Sequence, residues 1–250
     1  MTDTVLEVKN LSKTFVKDGQ RIEAVKNISF SVSRGEILGI AGESGSGKST
    51  LSRLCINLLK PDSGEIYVCG ERLGKTTAKR LRPKIQMVFQ NPADTFNPAY
   101  SVGSGLLGSG RDLGLEKELC REKISELLRL TSLPESVMNR RPKELSGGQL
   151  QRLAIVRALL CGPEILLADE PVSSLDVSVS ANIINLLLDL RERLGVAMLF
   201  ISHDLAVIGH LSDRVGVMYK GELLEIGETD EVLMNPKQEY TKRLLSARLD

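Results

Sequence analysis

The stretch Gly42-Glu-Ser44-Gly45-Ser46-Gly47-Lys48-Ser49-Thr50 combines residue types and a spacing suited to holding a polyphosphate. It matches G-x-x-x-x-G-K-[ST], follows an apolar run from Ile37 to Ala41, and leads into a helix-like segment from Thr50 to Leu59. Glycines at 42, 45 and 47 let the backbone take φ > 0 and turn N–H groups toward phosphate oxygens, at a helix N-terminus that already favours an anion. Lys48 adds a point charge for the β and γ phosphates, and the Ser49 hydroxyl is a ligand suited to Mg²⁺.

Four further groups carry chemistry. Ile165 to Ala168 is an apolar strand that ends in paired carboxylates, Asp169 and Glu170, and a strand end in an α/β sheet is where ligands bind. Val196 to Ile201 is a second such strand and delivers His203, a histidine beside acids in the same sheet. Gln90 ends the strand Ile85 to Phe89, where it either reaches a metal or water or is a polar strand end. Ser146-Gly147-Gly148-Gln149 opens a helix over Leu150 to Leu160, a geometry that serves either an anion or an ordinary serine cap.

The elements that must position these groups are legible in part. Short strands are expected at Val5 to Val8, Thr14 to Val16 and Ile28 to Val32, with a turn at Lys17 to Gln20, and Glu65 to Cys69 alternates as a half-buried strand does. Phe15, in the second of these, either stacks on a purine or packs into the core. Ala93 to Gly114 breaks into Gly, Ser and Pro and reads as a mobile connection. Its apolar residues, Phe96, Tyr100, Leu106 and Leu107, either receive a partner's helix or pack inward. Leu115 to Leu130 and Asn182 to Leu194 have helical spacing, Tyr219 to Glu222 turns into a last strand pair, and Tyr240 to Ala247 is a short terminal helix.

With 33 basic against 32 acidic side chains in 250 residues, the net charge of +1 gives no global field to recruit nucleic acid or an anionic membrane. The 42% of hydrophobic residues suffice for a full-sized core. Cys55, Cys69, Cys120 and Cys161 stand apart without a C-x-x-C pair, so neither a zinc site nor a disulfide framework is expected. Nor does any apolar run reach the ~18 residues of a membrane span, and the N-terminus lacks the pattern of a signal peptide. A soluble, unprocessed chain is expected, whose role at a membrane would come through a partner.

Taken together and in this order, the motifs resemble those of the ATP-binding cassette ATPases over essentially the whole chain. By that resemblance Gly42 to Thr50 is the Walker A loop, Gln90 the Q-loop glutamine, and Leu145 to Gln149 the signature motif. Asp169 is the Walker B aspartate, Glu170 the catalytic glutamate, Asp176 the D-loop aspartate and His203 the switch histidine. Phe15 falls where the family places an aromatic that stacks on the base. Ile85-Gln-Met-Val-Phe-Gln-Asn-Pro with Phe96-Asn-Pro98, Asp169 to Ser180, and Asn235-Pro236 with Tyr240-Thr241 are similar to the ATPases of oligopeptide, dipeptide and nickel importers. The chain departs from that group in having Gln238-Glu239 before Tyr240, and in ending at Asp250 before a cysteine-containing extension, so no iron–sulfur cluster is expected.

The resemblance implies an α/β fold: a RecA-like P-loop core with an antiparallel β subdomain (about 1–90 and 155–220), a helical subdomain (about 91–154) and a C-terminal tail (about 221–250). It implies ATP held by Phe15, Gly42, Ser44 to Thr50, Gln90 and Asp176, with Ser146, Gly147, Gly148 and Gln149 serving the ATP of a second cassette chain, identical or paralogous. Mg²⁺ would lie at Ser49 and, directly or through water, Gln90 and Asp169. Glu170 would act as general base and His203 would contact the γ-phosphate. The implied partners are an integral permease and, indirectly, an extracytoplasmic solute-binding protein, with the chain on the cytoplasmic face of the membrane and no nucleic acid bound. An ATPase of a soluble complex, in phosphonate breakdown, DNA repair or at the ribosome, is the alternative.

Overall fold

The computed structural model describes residues 3–17 and 19–246. Two sheets organise it. The first is antiparallel, in the order β2-β1-β4-β5, built from β1 (Thr4–Lys17), β2 (Gln20–Ser33), β4 (Ser63–Val68) and β5 (Glu71–Arg72). The second, in the order β10-β9-β3-β8-β7-β6, contains β3 (Ile37–Ala41), β6 (Ile85–Val88), β7 (Ile165–Asp169), β8 (Ala197–Ile201), β9 (Arg214–Tyr219) and β10 (Glu222–Glu228). All its neighbours are parallel except β9 and β10, which form a hairpin. The helices are α1 (Lys48–Cys55), α2 (Ala78–Leu81), α3 (Val102–Asp112), α4 (Lys117–Leu130), α5 (Gly147–Leu159), α6 (Val177–Leu194), α7 (Leu205–Leu211), α8 (Thr229–Met234) and α9 (Glu239–Ser246).

β3, β7 and β8 are buried along their whole length, as their unbroken apolar runs require of parallel strands covered on both faces. Alternation then divides their side chains between two cores. Ala197, Leu199 and Ile201 join Ile165 and Leu167 against the antiparallel sheet and α1, whereas Met198 and Phe200 join Leu166 and Ala168 against the helical side. This is the expected α/β fold, an α/β core flanked by an antiparallel sheet with a helical insertion.

The structure lengthens or replaces several expected elements. β1 and β2 pair along nearly their whole length, through four register shifts, so cross-strand hydrogen bonds carry polar residues that lack strand periodicity. Lys17 pairs with Gln20 across the expected turn, while Asp18 lies outside the described residues, as do Met1, Thr2 and Ala247. The mobile connection expected over 93–114 is largely helix, α3, which starts at a Ser101 cap that accepts from the Ser104 N–H. Its glycines permit close packing: a Cβ on Gly103 would stand 2.6 Å from the Met138 carbonyl oxygen, and one on Gly110 would collide with the Cys120 sulfur. The boundary expected near residue 154 falls inside α5, and the segment from 221 begins with β10, a strand of the main sheet.

Candidate functional site

The C-terminal ends of four neighbouring parallel strands converge on one place. β3 leads into the glycine loop, β6 into Gln90, β7 into Asp169 and Glu170, and β8 into His203. In front of them lies a cavity of about 610 Å³, lined in part by Ser44, Gly45, Gly47, Lys48, Ser49, Thr50, Gln90 and Glu170.

Packing forces the glycine loop into shape. A Cβ on Gly42 would collide with the Met218 carbonyl oxygen of β9, and one on Gly47, where φ is 107°, with the Ala24 carbonyl oxygen of β2. Ser46 is buried, its N–H donates to the Glu43 carbonyl, and its own carbonyl accepts from the Gly221 N–H. Gly42 and Ser46 therefore shape the loop from behind, while Ser44, Gly45 and Gly47 to Thr50 face the cavity. Lys48 is 5% exposed, and its ammonium donates to the carbonyls of Gly42 (2.7 Å) and Glu43 (2.8 Å). Burial pushes its pKa down, against the opposing pull of Glu170, Asp169 and Glu43.

Asp169 is 5% exposed, with Oδ1 3.2 Å from the Ser49 Oγ and Oδ2 3.1 Å from the Ser52 Oγ. Burial raises its pKa, and the two hydroxyl donors offset that in part. Glu170 follows in a left-handed conformation, φ 47°, that only a few per cent of non-glycine residues adopt. The backbone there is fixed by the Glu170 N–H donating to the Ile201 carbonyl and by Ser173, whose N–H and hydroxyl both donate to the Glu170 carbonyl. The Gln90 amide donates to the same Ser173 hydroxyl at 3.2 Å, and His203 Nδ1 lies 3.1 Å from Glu170 Oε2.

Hard oxygen donors at Ser49, Asp169 and Gln90 fit Mg²⁺, which keeps water and phosphate oxygens among its ligands. Among the described residues no three His, Cys, Asp or Glu side chains form a cage, so the chain alone would supply only part of a coordination shell.

The residues expected to form a signature motif stand elsewhere. Ser146 caps α5, accepting from the Gln149 N–H while its own N–H donates to Gln149 Oε1, and a Cβ on Gly148 would stand 2.6 Å from Val179 of α6. Ser146 and Gly147 are exposed, and none of the four residues lines the cavity. Asp176 caps α6 through the Val179 N–H, a bond that pulls its pKa down, and likewise lies outside the cavity lining. Phe15 does not line the cavity either. It pairs across the β1–β2 ladder with Ile22, which does, so the two share a face.

Sequence reasoning placed a strand at Ile28 to Val32 but missed the earlier part of β2, which contributes Arg21, Ile22, Ala24 and Lys26 to the wall, and the turn residues Lys220 and Gly221. It also missed Ser52 and Ser173. Ser52 and Ser173 follow the glycine loop and Glu170 closely without belonging to a chemical pattern, while β2 and the turn at 220–221 are brought there by strand packing.

Residues 25–173 match the ABC transporter family. The chain belongs to that family. It is 42% identical to the oligopeptide transport ATP-binding protein OppF of Bacillus subtilis, over 99% of this chain and 83% of the relative. It is 40% identical to a putative peptide import ATP-binding protein of Brucella ovis, over 99% of this chain and 80% of the relative. Among solved structures it is similar to cbiO1 of Clostridium perfringens, part of an ABC transporter complex, with a TM-score of 0.83 at 29% identity, covering 99% of this chain and 97% of that one. It is similar as well to a dimeric ATP-binding cassette in a post-hydrolysis state bound to ADP and Pi, with a TM-score of 0.79 at 32% identity, covering 90% of this chain and 98% of that one. As a member of this family the chain is an ATPase and binds ATP. No helix among the described residues is long and apolar enough to cross a membrane.

Proposed function

We propose that this ABC ATPase energises a membrane importer of peptides, acting on the cytoplasmic face as one of two cassette chains bound to an integral permease. The observation that carries the site assignment is the meeting of Asp169, Glu170 and His203 with the glycine loop at one edge of the sheet. The choice of peptides rests on the peptide-import names of relatives that match almost the whole chain.

In this reading the N–H groups of Gly45 to Thr50 and the Lys48 ammonium hold the phosphates, with Lys48 exchanging its carbonyl partners for phosphate oxygens. Ser49, Asp169 and Gln90 would hold Mg²⁺, which would supply charge neutralisation for the phosphates. The Glu170 carboxylate takes the proton of the attacking water, and His203, bonded to that carboxylate, contacts the γ-phosphate. Phosphoryl transfer asks mainly for positioning and charge neutralisation, and these groups supply both. Phe15, beside Ile22, stacks on the base.

Ser146 to Gln149 lie outside the chain's own cavity, which supports a shared site in which they serve the ATP bound by a second cassette chain. Asp176 would lie at the same interface, steadying α6 from its cap. Tyr100, 63% exposed beyond the Gln90 loop, is the residue best placed to touch the permease. Phe96 and Leu106 are buried, which favours the inward-packing reading for those two.

The test is reconstitution of the chain with its copurified permease in vesicles and addition of peptide-loaded solute-binding protein. Peptide uptake and ATP hydrolysis should rise together. Copurification with soluble enzymes in place of a membrane protein would reject the importer.

A further inference from the structure

Ser52 lies in α1 outside the phosphate-loop pattern, yet it is 0% exposed and its Oγ is 3.1 Å from Asp169 Oδ2. The same oxygen lies 3.1 Å from the Ser49 carbonyl. A hydroxyl has one proton to give. The Ser49 carbonyl already accepts within the helix ladder, while a bond to an ionised carboxylate is roughly twice as strong as one between neutral groups, so the proton goes to Asp169. The other carboxylate oxygen, Oδ1, faces the Ser49 Oγ at 3.2 Å. Among the described residues these two hydroxyls are the side-chain donors to Asp169, and they fix both of its oxygens.

We infer that Ser52 is a positioning residue: it locks the Asp169 carboxylate so that Oδ1 is presented beside Ser49, toward the Mg²⁺–phosphate end of the cavity. An apolar side chain in its place would leave Oδ2 buried without a donor, and the carboxylate would turn to find one. Outer partners of this kind fix the orientation of the groups that meet a metal. The inference rests on the reading of Asp169 as part of the Mg²⁺ site, and the experiment separates the two.

Using the full chain, Mn²⁺ binding is followed by electron paramagnetic resonance in the presence of a non-hydrolysable ATP analogue, and binding of the analogue is measured calorimetrically without metal. Ser52→Ala should weaken Mn²⁺ binding about tenfold, at the low end for loss of an outer partner, with metal-free analogue binding unchanged. Ser52→Thr and Ser52→Val, alike in shape and different in the hydroxyl, form a second pair: the threonine chain should bind Mn²⁺ as wild type does and the valine chain should not. Asp169→Asn is the reference. If Asp169→Asn loses Mn²⁺ while Ser52→Ala and Ser52→Val keep it, Ser52 only fills space and the inference is overturned. If Asp169→Asn also keeps Mn²⁺, it is the assignment of Asp169 that fails. Equal loss of metal-free analogue binding in Ser52→Ala would make Ser52 a support of the whole loop and would also overturn the inference.

Discussion

Glu170 Oε2 and His203 Nδ1 lie 3.1 Å apart, reaching toward each other from the ends of two adjacent parallel strands, β7 and β8. The histidine side chain is 58% exposed and the carboxylate 17%, so the acid sits at the cavity wall and the imidazole leans over it from the solvent side. A base held in this way can take a proton from water without first searching for its orientation.

Glu170→Gln keeps the size and a hydrogen bond to His203 but removes the carboxylate proposed as general base. ATP turnover should fall by ~10²–10⁴, the usual range for loss of a general base, with ATP affinity retained. Single-turnover kinetics beside equilibrium binding measure the two separately, and near-normal turnover would take Glu170 out of this role.

The exposed Ser146 cap leads to a complementation test. On the shared-site reading a Lys48→Ala chain has a damaged phosphate loop and a Ser146→Arg chain a damaged signature, so a mixed dimer would contain one whole composite site. Mixing should restore hydrolysis that neither chain shows alone. Failure with both the mixture and the copurified paralogue would mean that the site is not shared.

Phe96 and Tyr100 should separate cleanly. Phe96 is 5% exposed against Gly105 of α3, and Phe96→Ser should cost about 3–5 kcal/mol, as large-to-small changes at buried aromatics do, seen as a lower melting temperature of the isolated chain. Tyr100 is 63% exposed, so Tyr100→Ser should leave melting and ATP binding unchanged and weaken permease association and transport. Wild-type transport by Tyr100→Ser would remove it from the contact.

α9 is tied to the phosphate loop through Tyr240, whose hydroxyl accepts from the Glu43 N–H at 3.4 Å and whose ring packs 4.1 Å from that of Tyr219. Glu225 anchors the helix, accepting from the Lys237 and Gln238 N–H groups and the Thr241 hydroxyl. Burial pulls the Glu225 pKa upward, but these donors together outweigh it and hold the carboxyl below its ordinary range. A depressed carboxyl contributes stability above its unfolded pKa, about 4.3, and loses it as pH falls through the folded value, so α9 should stay docked at neutral pH and loosen only below about pH 4. Hydrogen exchange at Lys242, whose N–H donates to the Gln238 carbonyl in the first turn of α9, reports this directly. Glu225→Gln should raise that exchange already at pH 7, and protection equal to wild type would show that the helix is held by its other contacts.

The sequence by itself determined the chemistry and its order along the chain. Gly42 to Thr50, Asp169-Glu170 and His203 were legible because each is a local pattern next to a strand whose unbroken apolar run marks it as buried, and Gln90 because it ends a short β-rich run. Tertiary structure decided the rest. That α3 packs closely at its glycines is visible only in the structure, where Gly103 meets Met138 and Gly110 meets Cys120. That β2 walls the cavity, that Ser52 holds Asp169, and that Ser146 to Gln149 stand apart from the chain's own phosphate loop are likewise products of strand order and close packing. Such relationships join residues far apart in the chain, Ser52 and Asp169 being 117 positions apart. Periodicity and propensity act over one or two helical turns, so they set which groups the chain carries, while packing of the two sheets sets which of them meet.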